Sequence, residues 1–323
     1  MALDDGAHPP LAHDERWPRA GSWPAFDGEG ADAVLLGVPT WRTSLSPTGA
    51  HETPAAVRDA LRRYSPTLMD PSPVDLNEAL RIVDAGDVAE PDGDVGIAAT
   101  VARVSEVSDA ARLVIALGGD NSLTYPVARG AGATGLITID AHFDLRDGVS
   151  NGSPVRRLVE DAPEAERIDP RRIVQIGIAD FANSAAYARR AAEWGIRVIT
   201  LDELRRRGIV DVVAEALEIA GAGTAARVHL DVDVDAADRS VAPGCPASVP
   251  GGLAAWELRA LARALAADGR LVSADLAEVD ATADAADART VRLAALLVLE
   301  LLAGLAGREG RGGFAGRAGR AGL

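Results

Sequence analysis

Asp140, His142 and Asp144 stand at every second position of Asp140-Ala141-His142-Phe143-Asp144, directly after the apolar run Gly135-Leu136-Ile137-Thr138-Ile139. The run reads as a buried strand. The two carboxylates and the imidazole then fall at or just past its end, where a bending chain can aim them at one point. An Asp in an apolar run is costly unless charge-paired, hydrogen-bonded or bound to a cation, and a strand end flanked by further Asp offers no obvious basic partner. A second stretch, Val228-His229-Leu230-Asp231-Val232-Asp233-Val234-Asp235, alternates aliphatic with mostly acidic residues, so one strand face is apolar and the other acidic. Brought near Asp140 and Asp144, these carboxylates repel strongly at low dielectric, and protons or cations must relieve them. Oxygen-rich coordination with one imidazole suits Mn(II) or a similarly hard ion better than zinc, and Cys245, the only cysteine, excludes a thiolate cluster.

Other segments carry weaker signals. Gly118-Gly119-Asp120-Asn121-Ser122 follows the apolar run Leu113-Val114-Ile115-Ala116-Leu117 and could be a phosphate-cradling turn, but it lacks both the G-x-G-x-x-G spacing and a P-loop lysine. Glu278 follows another apolar strand, where a lone carboxylate is most often surface. Ser150-Asn151-Gly152-Ser153-Pro154-Val155-Arg156 reads by itself as an ordinary turn into a helix. His8, His13, His51 and His229 have no partner pattern, and Cys245 in Pro243-Gly244-Cys245-Pro246 reads as structural.

The elements that must position these residues alternate along the chain. Strand-like runs at 33–39, 81–83, 113–117, 135–139, 173–178, 196–200, 227–234 and 271–276 are interleaved with helical spacing at 54–64, 95–107, 183–194, 202–220, 254–267 and 287–306. Such alternation predicts a mainly parallel sheet covered on both faces, with functional loops at the strands' carboxyl ends. Residues 1–30 read as an irregular arm, 31–306 as a single domain and 307–323 as a disordered Gly- and Arg-rich tail. A net charge of −15 argues against nucleic acid or an anionic membrane as partner. The longest apolar run, Leu293 to Ala306, contains Glu300 and is too short to span a bilayer. One cysteine and no charged-then-apolar leader lead us to expect a cytoplasmic enzyme.

Three motifs together resemble the ureohydrolase family of arginases, agmatinases and formimidoylglutamases, over roughly residues 33–305. Gly118-Gly119-Asp120-Asn121-Ser122 is similar to G-G-D-H-S, and Asp140-Ala141-His142-Phe143-Asp144 matches D-A-H-x-D. Asp233-Val234-Asp235, with Asp238, Pro243-Gly244 and Pro250-Gly251-Gly252, follows the D-x-D…D…P-G…P-G-G pattern. The resemblance implies a three-layer α/β/α sandwich around a mainly parallel eight-stranded sheet, two Mn(II) ions per subunit, and a homo-oligomer, trimeric or hexameric. It implies that Asp140 and Asp233 bridge both ions, that Asp144 and Asn121 complete one site, and that His142 and Asp235 complete the other. Asp231 falls where the family usually has a small residue. Glu278 matches the glutamate that binds an amidine or guanidine group.

Two departures narrow the reading. Asn121 replaces the usual histidine ligand, so one ion is expected to bind loosely. The loop Ser150-Asn151-Gly152-Ser153-Pro154-Val155-Arg156 and Phe181-Ala182-Asn183-Ser184 look like those of formimidoylglutamases. The resemblance therefore implies hydrolysis of N-formimidoyl-L-glutamate to glutamate and formamide, in histidine degradation. Asp144 would act on the proton, Glu278 on the amidine, and Ser150, Asn151, Ser153 and Arg156 on the carboxylates. The alternatives are an agmatinase or another enzyme of guanidino compounds, and a non-catalytic family member.

Overall fold

The β-branched and leucine-rich runs form eight strands: β1 Ala31–Val38, β2 Ile82–Asp87, β3 Ala111–Gly118, β4 Gly135–Ile139, β5 Ile173–Ile178, β6 Arg197–Thr200, β7 Val228–Asp233 and β8 Leu271–Ala277. In this computed structural model, which describes residues 14–69 and 72–308, they make one sheet of order β2-β1-β3-β8-β7-β4-β5-β6 with every pairing parallel. His8, His13, the first part of the expected arm and the expected tail from 309 lie outside the described residues.

Helices cover both faces, as near-continuous apolar strands require. They are α1 Thr53–Leu61, α2 Gly93–Ala110, α3 Thr124–Gly130, α4 Pro154–Glu160, α5 Ala185–Trp194, α6 Leu201–Arg207, α7 Ile209–Ala220, α8 Ala255–Ala266 and α9 Arg289–Gly307. One face packs on α1, α7, α8 and α9 through a single continuous apolar cluster that includes Leu61, Leu217, Leu261 and Leu301. The opposite face, under α2 to α5, is filled by separate apolar clusters, one around Leu136 and Leu158 and another around Leu36 and Val127.

Several expectations are adjusted. The helical stretch expected over 202–220 is two helices, because Gly208 adopts φ 87° and α6 cannot continue through it. Residues 14–30 run mostly as turns and coil, and the bridge from Ala25 to Asp84 shields the open edge of β2. The last apolar run extends to a helix of 19 residues, long enough to cross a bilayer by length. That helix is instead a core element: Glu300 is 4% exposed and pairs with Arg259 and Arg263 on α8.

The loops after β1 and β3 are stitched together where the sheet meets the site. Thr40 Oγ1 donates to the Asp120 carbonyl at 2.9 Å, and the Asp120 amide donates to the Thr40 carbonyl at 2.8 Å. Gly119 permits this approach, since a Cβ there would lie 2.0 Å from the Thr40 carbonyl oxygen. Gly119→Ala must therefore push two backbones apart at a cost of roughly 1–3 kcal/mol. A fall in Tm of at least roughly 3 °C by calorimetry is expected, and an unchanged Tm would show that the loops are not locked at this point.

Candidate metal and substrate site

The acidic residues converge at the carboxyl ends of β4 and β7, adjacent strands in the centre of the sheet. The ligand atoms of Asp140, His142 and Asp235 lie within 4.8 Å of one another, and so do those of Asp140, Asp144 and Asp233. Asp140 belongs to both groups, so the two clusters share a wall. Asp233 joins Asp140 and Asp144 in one group and accepts from the Asp235 amide of the other.

Local hydrogen bonds hold these side chains. The His142 amide donates to Asp140 Oδ1 at 2.6 Å and the Asp235 amide to Asp233 Oδ1 at 2.8 Å, so each carboxylate shapes the turn that follows its own strand. His142 Nδ1 lies 2.9 Å from Asp235 Oδ2. Asn183 grips the loop by accepting from the Phe143 amide at 3.0 Å and donating to the Ala141 carbonyl at 2.8 Å. Gln175 donates to the Phe143 carbonyl.

Asp144 and Glu278 adopt φ of 52° and 63°, a left-handed conformation costly for side chains of this kind and one that persists only where the surroundings impose it. For Glu278 those surroundings are visible. Its Oε1 accepts from the Asn121 amide at 2.7 Å and from Asn151 Nδ2 at 2.8 Å, and its own amide donates to the Gly119 carbonyl.

Without a cation the cluster is electrostatically stressed. Burial first, and then the Asp235 charge, push Asp140 up to about 7. Burial also raises Asp144 and Asp233 well above the usual carboxylate range, with Asp140 the next contributor for the first and Asp235 for the second. Burial opposes protonation of His142, but the charges of Asp235 and Asp140 prevail and lift it to about 12. Asp140 Oδ2 is buried with no hydrogen-bond partner. An orphaned carboxylate oxygen among four carboxylates and one imidazole fits a hard divalent ion, which would supply the missing charge and displace the protons.

A cavity of about 320 Å³ opens onto the cluster, lined among others by His142, Asp144, Asp233, Asp235 and Glu278, and by Arg146, Asn151, Asn183 and Tyr187. Leu45 and Ser46, from the loop after β1, complete its wall. Of the four residues read from the sequence as carboxylate binders, Asn151 lines this cavity and the other three do not. Ser150 and Ser153 are engaged with each other in the turn before α4. The Arg156 guanidinium holds Asp161 with two bonds of 2.9 Å and donates to the Arg146 and Gly148 carbonyls. The substrate role expected of Ser150, Ser153 and Arg156 is therefore corrected to a structural one: they shape the loop. Arg146 was missed. It is exposed, lines the cavity, and has no ion pair among the described residues. The sequence signal available was its position two residues after Asp144.

Asn121 reaches the cluster through its nitrogen. Nδ2 donates to Asp144 Oδ2 at 2.6 Å, while Oδ1 accepts from Thr124 Oγ1 at 2.8 Å. His229 is a satisfied core histidine, between Ser273 Oγ at 2.8 Å and Asp275 Oδ2 at 2.9 Å. Cys245 is a buried free thiol.

Comparison with known proteins agrees with this geometry. A family model described as "Arginase family" matches residues 31–304. The formimidoylglutamase of Bacillus subtilis is 34% identical over 277 residues, covering 81% of this chain and 83% of that protein. The crystal structure of formimidoylglutamase from Bacillus subtilis superposes with a TM-score of 0.83 at 29% identity, covering 95% of this chain and 96% of that one. A Trypanosoma cruzi formiminoglutamase solved with Mn2+ gives a TM-score of 0.79 at 25% identity, covering 90% and 99%.

Metal removal has a predicted sign. A carboxyl raised to about 7 in the fold stabilises it below the unfolded value of about 3.9, and that contribution is lost as pH rises through about 7. Chelated protein is therefore expected to lose stability from this cluster over that window, and Mn(II) to restore it. The Mn-dependent gain in Tm should widen between about pH 5 and 7.5, and saturating metal at 100 to 1,000 times Kd is worth about 3–4 kcal/mol. Asp140→Ala should abolish the gain. A gain of equal size in that variant would place the metal elsewhere.

Proposed function

The chain belongs to the arginase family, and on that premise we propose that it hydrolyses N-formimidoyl-L-glutamate to L-glutamate and formamide with two Mn(II) ions per subunit. The observation that carries the substrate is the free guanidinium of Arg146 on the wall of the cavity whose floor is the acidic cluster. A cationic fork beside an otherwise acidic site recognises a substrate with carboxylates at one end and an amidine at the other. Trimeric or hexameric assembly, a cytoplasmic location and a place in histidine breakdown belong to the same proposal, on the family resemblance alone.

Asp140, His142, Asp144, Asp233 and Asp235 would hold the divalent ions, which would supply Lewis acidity and lower the pKa of the attacking water from about 16 toward about 7. The chain's own residues do the rest. Glu278, fixed by Asn121 and Asn151 through Oε1, keeps Oε2 for the amidine N–H groups. Burial, then the Asp120 charge, push Glu278 up to about 8, so a cationic amidine compensates a carboxylate that the empty site holds at a cost. Asp144, held by Asn121, takes the proton of the attacking water and returns it to the glutamate nitrogen as the C–N bond breaks. Water adds to the formimidoyl carbon, and its oxygen leaves in formamide.

Asn121 makes the ion beside Asp144 the weaker of the two. To ligate, its amide must present the oxygen and release both Thr124 and Asp144, and the neutral oxygen is then a poorer donor than imidazole for such an ion. Asn121→His is expected to convert a biphasic Mn(II) titration into a single tight phase, and unchanged weak binding would remove Asn121 from the site.

Formimidoylglutamate, agmatine, arginine and guanidinobutyrate, each assayed with Mn(II), test the substrate. Turnover of agmatine alone would overturn the assignment. Arg146→Ala should raise KM for formimidoylglutamate by roughly 10- to 100-fold, the worth of a charge-assisted pair, with kcat little changed. Arg156→Ala should lower Tm instead.

A further inference from the structure

Arg146 is the only arginine among the residues lining the cavity, and it stands in a stretch, 143–146, that has neither helix nor strand to direct it. It is also exposed. An exposed arginine on irregular backbone samples many rotamers, and ordering one only when a ligand arrives weakens affinity by roughly 3- to 10-fold. Recognition by Arg146 therefore calls for contacts that fix it in advance.

Two bonds hold the residue itself. Its amide donates to the Gly152 carbonyl at 3.0 Å, and Arg156 Nε donates to its carbonyl at 2.9 Å. Its stem passes directly over Gly152, another wall residue, where a Cβ would lie 2.8 Å from Arg146 Cδ. The two neighbours in sequence are held from a different element. Arg190 of α5 donates through Nη1 to the Leu145 carbonyl at 2.7 Å and to Asp147 Oδ1 at 2.8 Å, which uses both hydrogens of that nitrogen. Leu145 is buried in the apolar cluster around Leu136 and Leu158, whereas the Asp147 side chain is 77% exposed. Arg190 thus ties the exposed side of the stretch to the buried one.

The same guanidinium lies 5.5 Å from the ring centre of Tyr187 and 5.8 Å from that of Trp194, three residues before it and four after it on one helix face. Both rings pack against the cluster that holds Leu145. Tyr187 lines the cavity and Arg190 does not. We propose that Arg190 is a positioning residue for substrate recognition: it clasps Leu145 and Asp147 on either side of Arg146, seats Tyr187, and so presets the Arg146 guanidinium for the carboxylates of an acidic amidine. The inference rests on the substrate reading above and adds to it the residue through which Arg146 is made ready.

The test uses the full chain loaded with Mn(II). Arg190→Met keeps an unbranched stem and removes both donors. It should raise KM for formimidoylglutamate by roughly 3- to 10-fold, with kcat and bound manganese unchanged. Asp147→Ala removes one acceptor from an exposed side chain, so it keeps the fold and should raise KM by a smaller factor. In an Arg146→Ala background, Arg190→Met should add nothing further, because its effect passes through a side chain already removed. An unchanged KM in Arg190→Met, the same factor in both backgrounds, or a loss of kcat and Tm at constant KM would overturn the proposal and leave Arg190 as a brace of the loop. Calorimetric binding of L-glutamate separates this failure from failure of the substrate reading. If the wild type does not turn over formimidoylglutamate but binds L-glutamate, Arg190→Met should weaken that binding by the same factor, and an unchanged Kd would overturn the positioning role. A wild type that neither turns over formimidoylglutamate nor binds L-glutamate would overturn both.

Discussion

Concentrated negative charge at the centre of the sheet is the constraint around which this protein is organised. Asp140, Asp144, Asp233 and Asp235 converge within a few ångströms at the ends of two adjacent strands, in surroundings where like charges repel strongly and water cannot screen them. Hydrophobic packing alone would not tolerate this arrangement. The large continuous core on the opposite face provides stability that the acidic face lacks, and divalent ions are the natural counter-charge. The sheet thus divides its labour between its faces: one is uniformly apolar, the other carries the chemistry.

Two strained backbone positions lie in the site. Asp144 and Glu278 take a left-handed backbone, and both are fixed through Asn121, by its side chain and its amide respectively. Asn121 therefore couples the acidic cluster to Glu278. Loops after β1, β3, β4 and β8 meet at this point, joined by Thr40 with Asp120 and by Asn151 with Glu278 and the Leu45 amide. A site built from converging loops on parallel strands can then be both rigid at its floor and variable at its rim.

Much of this was legible in the sequence, and the reason is local. Strands buried on both faces must be apolar throughout, so each interruption by Asp or His marks a strand end or a functional face. Period-two spacing identified Asp140, His142 and Asp144 without any knowledge of their partners. What stayed hidden depends on pairing across the fold. Arg156 and Arg146 look alike in sequence, and only the neighbouring Asp161 makes the first a structural residue and leaves the second free for the cavity. The contribution of Leu45 and Ser46 could not be read from a loop with no titratable group. The grip of Arg190 on Leu145 and Asp147 is invisible along the chain, because its acceptors lie 45 and 43 residues away.

The account rests on the acidic cluster being a binuclear metal centre. Crystals grown with Mn(II) and measured at the manganese absorption edge test it most directly. Two anomalous peaks are predicted, one among Asp140, His142 and Asp235 and a weaker one among Asp140, Asp144 and Asp233. Absence of anomalous density in both groups, or its appearance at a site remote from Asp140, would contradict the account.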